Sequence, residues 1–228
     1  IIGTSAVDLD GRRSTVRTAE SNLGNLAADS LLWQAAELAP SFGVPIPDVA
    51  LQNGGGMRND AIIPAGNLTE LDTFDVLPFP NFVTVIPDIP RSQFKEILEN
   101  AVSNVENVDG RFAQVAGFEF TYDPAGTAQV VDDDGKVLTA GTRVTEVSLD
   151  GGTQIVTGGN VVAGADLTIA TIDFLARGGD QYPYRDAPIT LLGVSYQQAL
   201  SNYVQDALGG TVSAADYPEG GEGRITAL

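Results

Sequence analysis

The first strong pattern in the sequence is RTAESNLGNLAADSLLWQAAEL, residues 17–38. Apolar side chains recur in it at steps of three and four residues, at Leu23, Leu26, Ala27, Leu31, Ala35 and Leu38. This spacing places them on one face of an α-helix. Ser21 is a suitable N-cap because its hydroxyl accepts a hydrogen bond from an amide of the first turn. The stretch therefore predicts an amphipathic helix that follows Ser21 and ends at Pro40.

Two further segments show the same period, and β-type segments lie between the helices. One helix is expected after Pro90 and another from Ser195 to the Gly209-Gly210 pair. Runs rich in β-branched and aromatic residues predict strands at 48–53, 81–86, 118–122, 127–131, 143–149, 167–174 and 224–228. This order of helices and strands indicates an α+β fold rather than a regular βαβ repeat.

The composition of the chain excludes several kinds of chemistry. Its 228 residues include 12 basic and 30 acidic side chains, with a net charge of −18 and neither histidine nor cysteine. The negative charge argues against nucleic acid as a partner. Without imidazole or thiol groups there is no histidine base, no His-metal site, no thiolate nucleophile and no disulfide. No apolar run reaches the roughly 18 residues of a membrane helix, so membrane insertion is not expected.

The segment Asn53-Gly54-Gly55-Gly56-Met57-Arg58 follows an apolar strand. Its glycines let the backbone turn sharply and approach a ligand, and its amide groups and Arg58 are suited to meet an anion. It lacks the Gly-Lys-Ser/Thr of a Walker loop. The alternative is a tight turn with a purely structural purpose.

The segment Leu77-Pro78-Phe79-Pro80-Asn81 holds an aromatic residue between two prolines. Because proline fixes φ and removes a donor, Phe79 is expected in an extended segment that does not pair as a central strand. A projecting ring there is suited to stack on a base, whereas a ring turned inward would fill the core.

The segment from Asp173 to Asp180 ends in Gly178-Gly179-Asp180. An aspartate on a glycine turn is well placed to accept hydrogen bonds from vicinal hydroxyls such as those of ribose. The alternative is an Asx-type turn residue.

Two other polar clusters have structural explanations. The residues around the start of the first helix, Arg17 to Asp29, are suited to capping and ion pairing. The acidic run from Asp132 to Lys136 predicts a hairpin turn. A calcium loop is the alternative there, although the ligand spacing and terminal glutamate of an EF-hand are missing.

In their order and spacing, five segments closely resemble the C-terminal domain of 5'-nucleotidases: 17–29, 53–58, 77–81, 110–117 and 174–180. The resemblance extends over essentially the whole chain. It implies a single domain over residues 1–228, with two mixed sheets and flanking helices in a four-layer α/β/β/α arrangement that provides the nucleotide specificity pocket.

The resemblance also implies roles for individual residues. The base is expected to lie between Phe79 and Phe174, and Asp180 is expected to hold the ribose hydroxyls. Base stacking suits this purpose because it contributes about 1 to 3 kcal/mol per base and tolerates different bases.

The remaining implied site residues surround the nucleoside and the phosphate. Asn53, Arg58 and Arg17 are expected on the nucleoside and phosphate side, and Asn81 and Gly110 are expected to line the pocket. No catalytic residue and no metal ligand is expected in this chain.

In this family the chemistry belongs to a separate N-terminal metallophosphoesterase domain with two divalent metal ions. The resemblance therefore implies a substrate-binding half that is inert alone, with the N-terminal domain as its partner and no cofactor of its own. The implied substrates are nucleoside monophosphates, with UDP-sugars and 2',3'-cyclic nucleotides as candidates. The implied location is extracellular, periplasmic or at the cell surface.

Two other interpretations stay open from the sequence. One is a non-catalytic extracellular binding module that kept the fold. The other is a related hydrolase for a cyclic phosphodiester or a sulfur ester, although the paired phenylalanines with Asp180 favour a nucleoside.

Overall fold

The computed structural model describes the whole chain, Ile1–Leu228. The helices are α1 (Arg13–Val16), α2 (Asn22–Phe42), α3 (Glu70–Val76), α4 (Arg91–Val102), α5 (Asp173–Ala176) and α6 (Tyr196–Asn202). The strands are β1 (Gly3–Ser5), β2 (Leu9–Asp10), β3 (Val49–Asn53), β4 (Ile62–Ile63), β5 (Gly66–Leu68), β6 (Phe82–Ile89), β7 (Ala113–Ala116), β8 (Phe118–Tyr122), β9 (Val130–Val131), β10 (Val137–Thr139), β11 (Val144–Leu149), β12 (Gln154–Thr157), β13 (Asn160–Val161), β14 (Leu167–Ile172), β15 (Thr190–Ser195), β16 (Thr211–Val212) and β17 (Ile225–Ala227).

Helix α2 forms where the apolar period predicts it. The Ser21 hydroxyl accepts a hydrogen bond from Gly24 N–H at 2.9 Å, as expected of an N-cap. The helix does not end at Pro40, as predicted, but continues to Phe42 and ends at Gly43, which has a φ of 68°. A proline in the last turn removes a single intrahelical hydrogen bond, and the left-handed conformation that ends the helix suits glycine.

The central sheet has the strand order β15-β6-β14-β3-β7. Strands β14 and β3 are parallel, and the other neighbours are antiparallel. Every residue of β3 and β14 is buried, and helix α2 packs against both strands. Such continuous burial accounts for the largely apolar sequence of β14.

A second mixed sheet has the order β13-β12-β11-β8-β17. Helix α4 contacts β7 of the central sheet and also β11 and β13 of the second sheet. The Phe94 and Phe118 rings meet edge to face, with centroids 5.1 Å apart. The Glu99 carboxylate accepts hydrogen bonds from the amides of Arg143 and Val144, each at 3.0 Å. The two sheets are thus joined through this helix.

The α+β class, the single domain and the mixed sheets are confirmed, although a three-stranded mixed sheet, β16-β1-β5, and two two-stranded sheets accompany the two large ones. Helix α2 contacts the central sheet and also β2, whereas α4 contacts both the central and the second sheet. The period within a helix shows which of its faces are apolar, but it does not show which sheets will cover them.

Several element boundaries differ from those predicted. Strand β14 ends at Ile172, so Asp173 and Phe174 belong to the short helix α5 and not to a strand. The hairpin turn at 132–136 is present, with Asp132 N–H bonded to Lys136 O at 3.0 Å. Strands β7 and β15 were not predicted, because β7 has only four residues and the residues of β15 do not alternate cleanly between apolar and polar.

Glu20, part of the first sequence motif, fixes the segment before β17. Its carboxylate accepts hydrogen bonds from the amides of Glu222, Gly223 and Ile225 at 2.6, 3.0 and 3.1 Å. A fourth comes from the Asn25 side chain at 2.7 Å. The structural interpretation of this cluster therefore accounts for Glu20 and Asn25.

Candidate functional site

A cavity of about 510 Å³ opens at one edge of the central sheet. It is lined by Arg17, Asn53, Gly55, Gly56, Arg58, Phe79, Pro80, Asn81, Asp109, Gly110, Phe174 and Asp180. Parallel strands β3 and β14 end at this edge, and their antiparallel neighbours β7 and β6 begin there. Their connecting loops therefore meet at one place. All eight residues that the sequence analysis selected line this cavity.

The Gly54–Gly56 turn holds three chain segments close together. Gly54 N–H donates to Phe112 O at 2.7 Å, and Gly55 N–H donates to Gly110 O at 2.8 Å. A Cβ on Gly54 would lie 2.1 Å from Val16 O, so only glycine fits there. Because these two amides bond to the protein, the turn shapes the cavity, and the expectation that they would meet an anion is not supported.

Phe79 and Phe174 are both half-exposed, with 44% of each residue accessible. Neither ring therefore fills the core. The Arg58 guanidinium lies 5.7 Å from the centroid of the Phe79 ring, within the range of a cation–π contact. Each ring presents apolar surface to the cavity, as a site for a planar ligand requires.

Asp180 has a φ of 51°, in the left-handed region, and follows Gly178 with a φ of 89°. Its Oδ2 accepts a hydrogen bond from the Asn53 side-chain amide at 2.6 Å. Burial raises the pKa of the Asp180 carboxyl, while the hydrogen bond from Asn53 opposes this rise. The carboxylate bonds to a distant strand end and not to its own turn, so the Asx-turn interpretation is not supported.

Arg17 lies on the turn after α1 and is only 7% exposed. The Gln114 side chain fixes this turn by donating to Val16 O at 3.1 Å and to Ala19 O at 2.8 Å. Arg17 Nε has no hydrogen-bond partner. Burial, and then the charges of Arg13 and Arg58, lower the pKa of Arg17. A buried cation without a partner is costly, and an anion in the cavity would offset that cost.

Asn81 and Gly110 line the cavity, and the backbone of each contacts a neighbouring segment. Asn81 O accepts a hydrogen bond from Tyr196 N–H at 3.0 Å. The Gly110 Cα lies opposite Gly55, where a Cβ on Gly55 would be 3.0 Å from it. Both positions therefore fix the spacing between loops.

Sequence reasoning missed Asp109 and the residues that support the site. The Asp109 carboxylate accepts from Arg111 N–H at 3.0 Å and from the Asn104 side chain at 2.7 Å, so it is engaged within the protein. Gln114 and Tyr196 reach the site loops from buried positions. A buried polar residue within an apolar pattern was the available signal, because such groups need hydrogen-bond partners.

No group of three or more acidic side chains in the chain is arranged to hold a metal ion. The acidic run at 132–136 joins the antiparallel strands β9 and β10 as a hairpin turn, as predicted. The donors in this chain do not fit a two-metal centre.

Residues 1–186 match the model of the family described as "5'-nucleotidase, C-terminal domain". The chain belongs to the 5'-nucleotidase C-terminal domain family.

Relatives of this 5'-nucleotidase C-terminal domain include much longer proteins. One is the trifunctional nucleotide phosphoesterase protein YfkN of Bacillus subtilis, 38% identical over 183 residues, which make up 79% of this chain and 11% of that protein. Another is a 5'-nucleotidase precursor from Thermus thermophilus, which is 32% identical. Its crystal structure matches this one with a TM-score of 0.78, and the match covers 100% of this chain and 39% of that chain.

The NAD nucleotidase of Haemophilus influenzae has the same fold, with a TM-score of 0.71 at 18% identity, covering 100% of this chain and 38% of that chain. This chain therefore spans well under half the length of these proteins.

Proposed function

We propose that this chain is the nucleotide-recognition domain of a secreted 5'-nucleotidase that hydrolyses the phosphate ester of nucleoside monophosphates. UDP-sugars and 2',3'-cyclic nucleotides are further candidate substrates. The observation that carries the proposal is the convergence of Phe79, Phe174 and Asp180 on one cavity. Two half-exposed rings and a carboxylate match the base and the ribose of a nucleoside.

The proposed orientation places the base between Phe79 and Phe174 and the ribose hydroxyls at Asp180. The Asn53 side-chain amide already donates a hydrogen bond to Asp180 Oδ2, so Asp180 Oδ1 is the oxygen proposed to accept a hydrogen bond from the ribose. The cavity volume of about 510 Å³ lies within the usual range for small-molecule sites, about 300 to 1,000 Å³.

The phosphate is proposed to lie toward Arg17 and Arg58. Arg17 is the stronger candidate because its buried guanidinium lacks a partner at Nε. Arg58 already contacts the face of Phe79, so it links the phosphate side of the cavity to the base side.

The catalytic step is proposed to belong to a separate N-terminal metallophosphoesterase domain with two divalent metal ions, toward which the cavity would face. Two such ions would polarise the phosphate and activate a water molecule. This chain has no histidine and no suitable cluster of carboxylates, so we expect it to be inactive alone and to hold no cofactor.

The proposed location is extracellular, periplasmic or at the cell surface, and its support is family membership. In the chain itself, no helix combines the length and apolar character that crossing a membrane requires.

Calorimetric titration of the chain with adenosine, AMP and UDP-glucose tests this proposal. We expect binding that Phe174→Ala weakens by about 1 to 3 kcal/mol. The matched control is Phe74→Ala, since Phe74 is a half-exposed ring on α3 that does not line the cavity. Failure of all three ligands to bind would contradict nucleotide recognition by this chain and favour a non-catalytic binding module.

A further inference from the structure

Tyr196, the first residue of α6, contacts three residues of the cavity wall. Its hydroxyl accepts a hydrogen bond from Phe79 N–H at 3.0 Å and donates one to Gly56 O at 3.2 Å. Its backbone N–H donates to Asn81 O at 3.0 Å. The side chain is fully buried behind the cavity and does not line it.

The Tyr196 hydroxyl is the hydrogen-bond acceptor for the backbone amide of Phe79. Pro78 and Pro80 have no amide hydrogen, so Phe79 N–H is the donor between Leu77 and Asn81. Burial raises the pKa of Tyr196 to about 12, so the phenol keeps the proton that it donates to Gly56. The hydroxyl thus fixes the distance between the Phe79 segment and the Gly54–Gly56 turn.

Resting on the nucleotide-recognition function proposed above, we infer that Tyr196 is a positioning residue that holds the Phe79 backbone against the glycine turn, so that the Phe79 ring stays where the base is proposed to stack. Tyr196 lies beyond residue 186, where the match to the family model ends. It acts through Phe79 and Gly56 and does not touch the ligand.

The substitution Tyr196→Phe removes the hydroxyl and keeps the ring. It leaves Phe79 N–H and Gly56 O without their partner, and we expect adenosine to bind about tenfold more weakly. The matched control is Tyr203→Phe. The Tyr203 hydroxyl is hydrogen-bonded to the Tyr217 hydroxyl at 2.9 Å, and neither residue lines the cavity. The adenosine affinity of this variant should therefore stay unchanged.

A double-mutant cycle separates positioning from a general loss of stability. If Tyr196 acts through Phe79, Tyr196→Phe should cost little further affinity in a Phe79→Ala background. Loss of the full tenfold in that background would overturn the inference, as would wild-type affinity in Tyr196→Phe alone.

Hydrogen exchange of the Phe79 amide gives a readout that needs no ligand. The inference expects faster exchange in Tyr196→Phe than in the unaltered chain, and an unchanged rate would overturn it. If the unaltered chain bound none of the nucleosides or nucleotides, the proposed function would fail. The exchange rate would still report whether Tyr196 holds the Phe79 segment.

Discussion

The Asn53 side chain donates a hydrogen bond to Asp180 Oδ2 at 2.6 Å, across 127 positions of sequence. Asn53 ends β3, and Asp180 follows the short helix α5, which comes directly after β14, the parallel neighbour of β3. Asn53 is itself fixed by the Gln52 side chain, which donates to Asn53 Oδ1 at 3.0 Å. This chain of contacts sets the direction in which the Asp180 carboxylate faces the cavity.

The first prediction concerns the pH dependence of nucleoside binding. Because burial raises the pKa of Asp180 and Asn53 opposes the rise, Asn53→Ala should raise that pKa further. If the ionised carboxylate binds ribose, affinity falls as the pH falls through this pKa, and the variant should lose affinity at a higher pH. Adenosine titrations across the acid range measure the midpoint. The control Asn81→Ala alters the cavity lining but not the hydrogen bond from Asn53 to Asp180, so it should leave the pH midpoint of binding unchanged.

The second prediction uses the contact between Gly179 and the Phe174 ring. A Cβ on Gly179 would lie 2.6 Å from two atoms of the ring and 2.5 Å from Phe174 O, so Gly179→Ala must displace Phe174. Adenosine affinity should fall by about 1 to 3 kcal/mol, as if the stacking ring were removed. Gly151→Ala, where a Cβ meets nothing within 4 Å, is the control. Unchanged affinity in Gly179→Ala would argue against Phe174 as a stacking partner.

The third prediction separates stability from binding at Arg17. Arg17→Met removes a buried charge with an unpaired Nε and keeps much of the volume, so the melting temperature should stay the same or rise. AMP affinity should fall by about 1.5 to 3 kcal/mol, while adenosine affinity stays the same. Thermal unfolding and calorimetry measure the two effects. The control is Arg12→Met, because Arg12 forms an exposed ion pair with Asp10. An equal loss of AMP and adenosine affinity in Arg17→Met would contradict a phosphate role for Arg17.

The fourth prediction concerns the folding role of Glu20. Glu20→Ala leaves three backbone amides and the Asn25 side chain without an acceptor, so the free energy of unfolding should fall by about 3 kcal/mol. Urea denaturation measures the change. The exposed Glu219 makes no such bonds, and Glu219→Ala should stay within about 0.5 kcal/mol of the unaltered chain. Equal stability of both variants would contradict the role of Glu20.

The sequence predicted the elements whose signals are local. The period of α2 and the cap at Ser21 lie within one segment, and both are present. The proximity of Phe79, Phe174 and Asp180 depends on how β3, β6 and β14 pair, which no local pattern encodes. The family resemblance supplied that information because it maps distant motifs onto one site.

The supporting residues could not be recognised in the same way. Gln114 and Tyr196 lie in segments whose immediate sequence does not show which loop each side chain contacts. Gln114 reaches Val16 and Ala19 across more than ninety positions. Such contacts follow from tertiary packing, so they become visible only with the strands and helices in place.

Helix α4 connects the second sheet to the loop of Asp180, which lines the cavity. Glu99 bonds to the start of β11, while the next residue, Asn100, donates its side-chain amide to Asp180 O at 3.1 Å. Two consecutive residues of one rigid element therefore join the second sheet to the loop that carries the proposed ribose ligand. A repacking of that sheet would be transmitted to Asp180 as a shift of the helix. Affinity-altering substitutions should therefore also be found among residues that never approach the nucleotide.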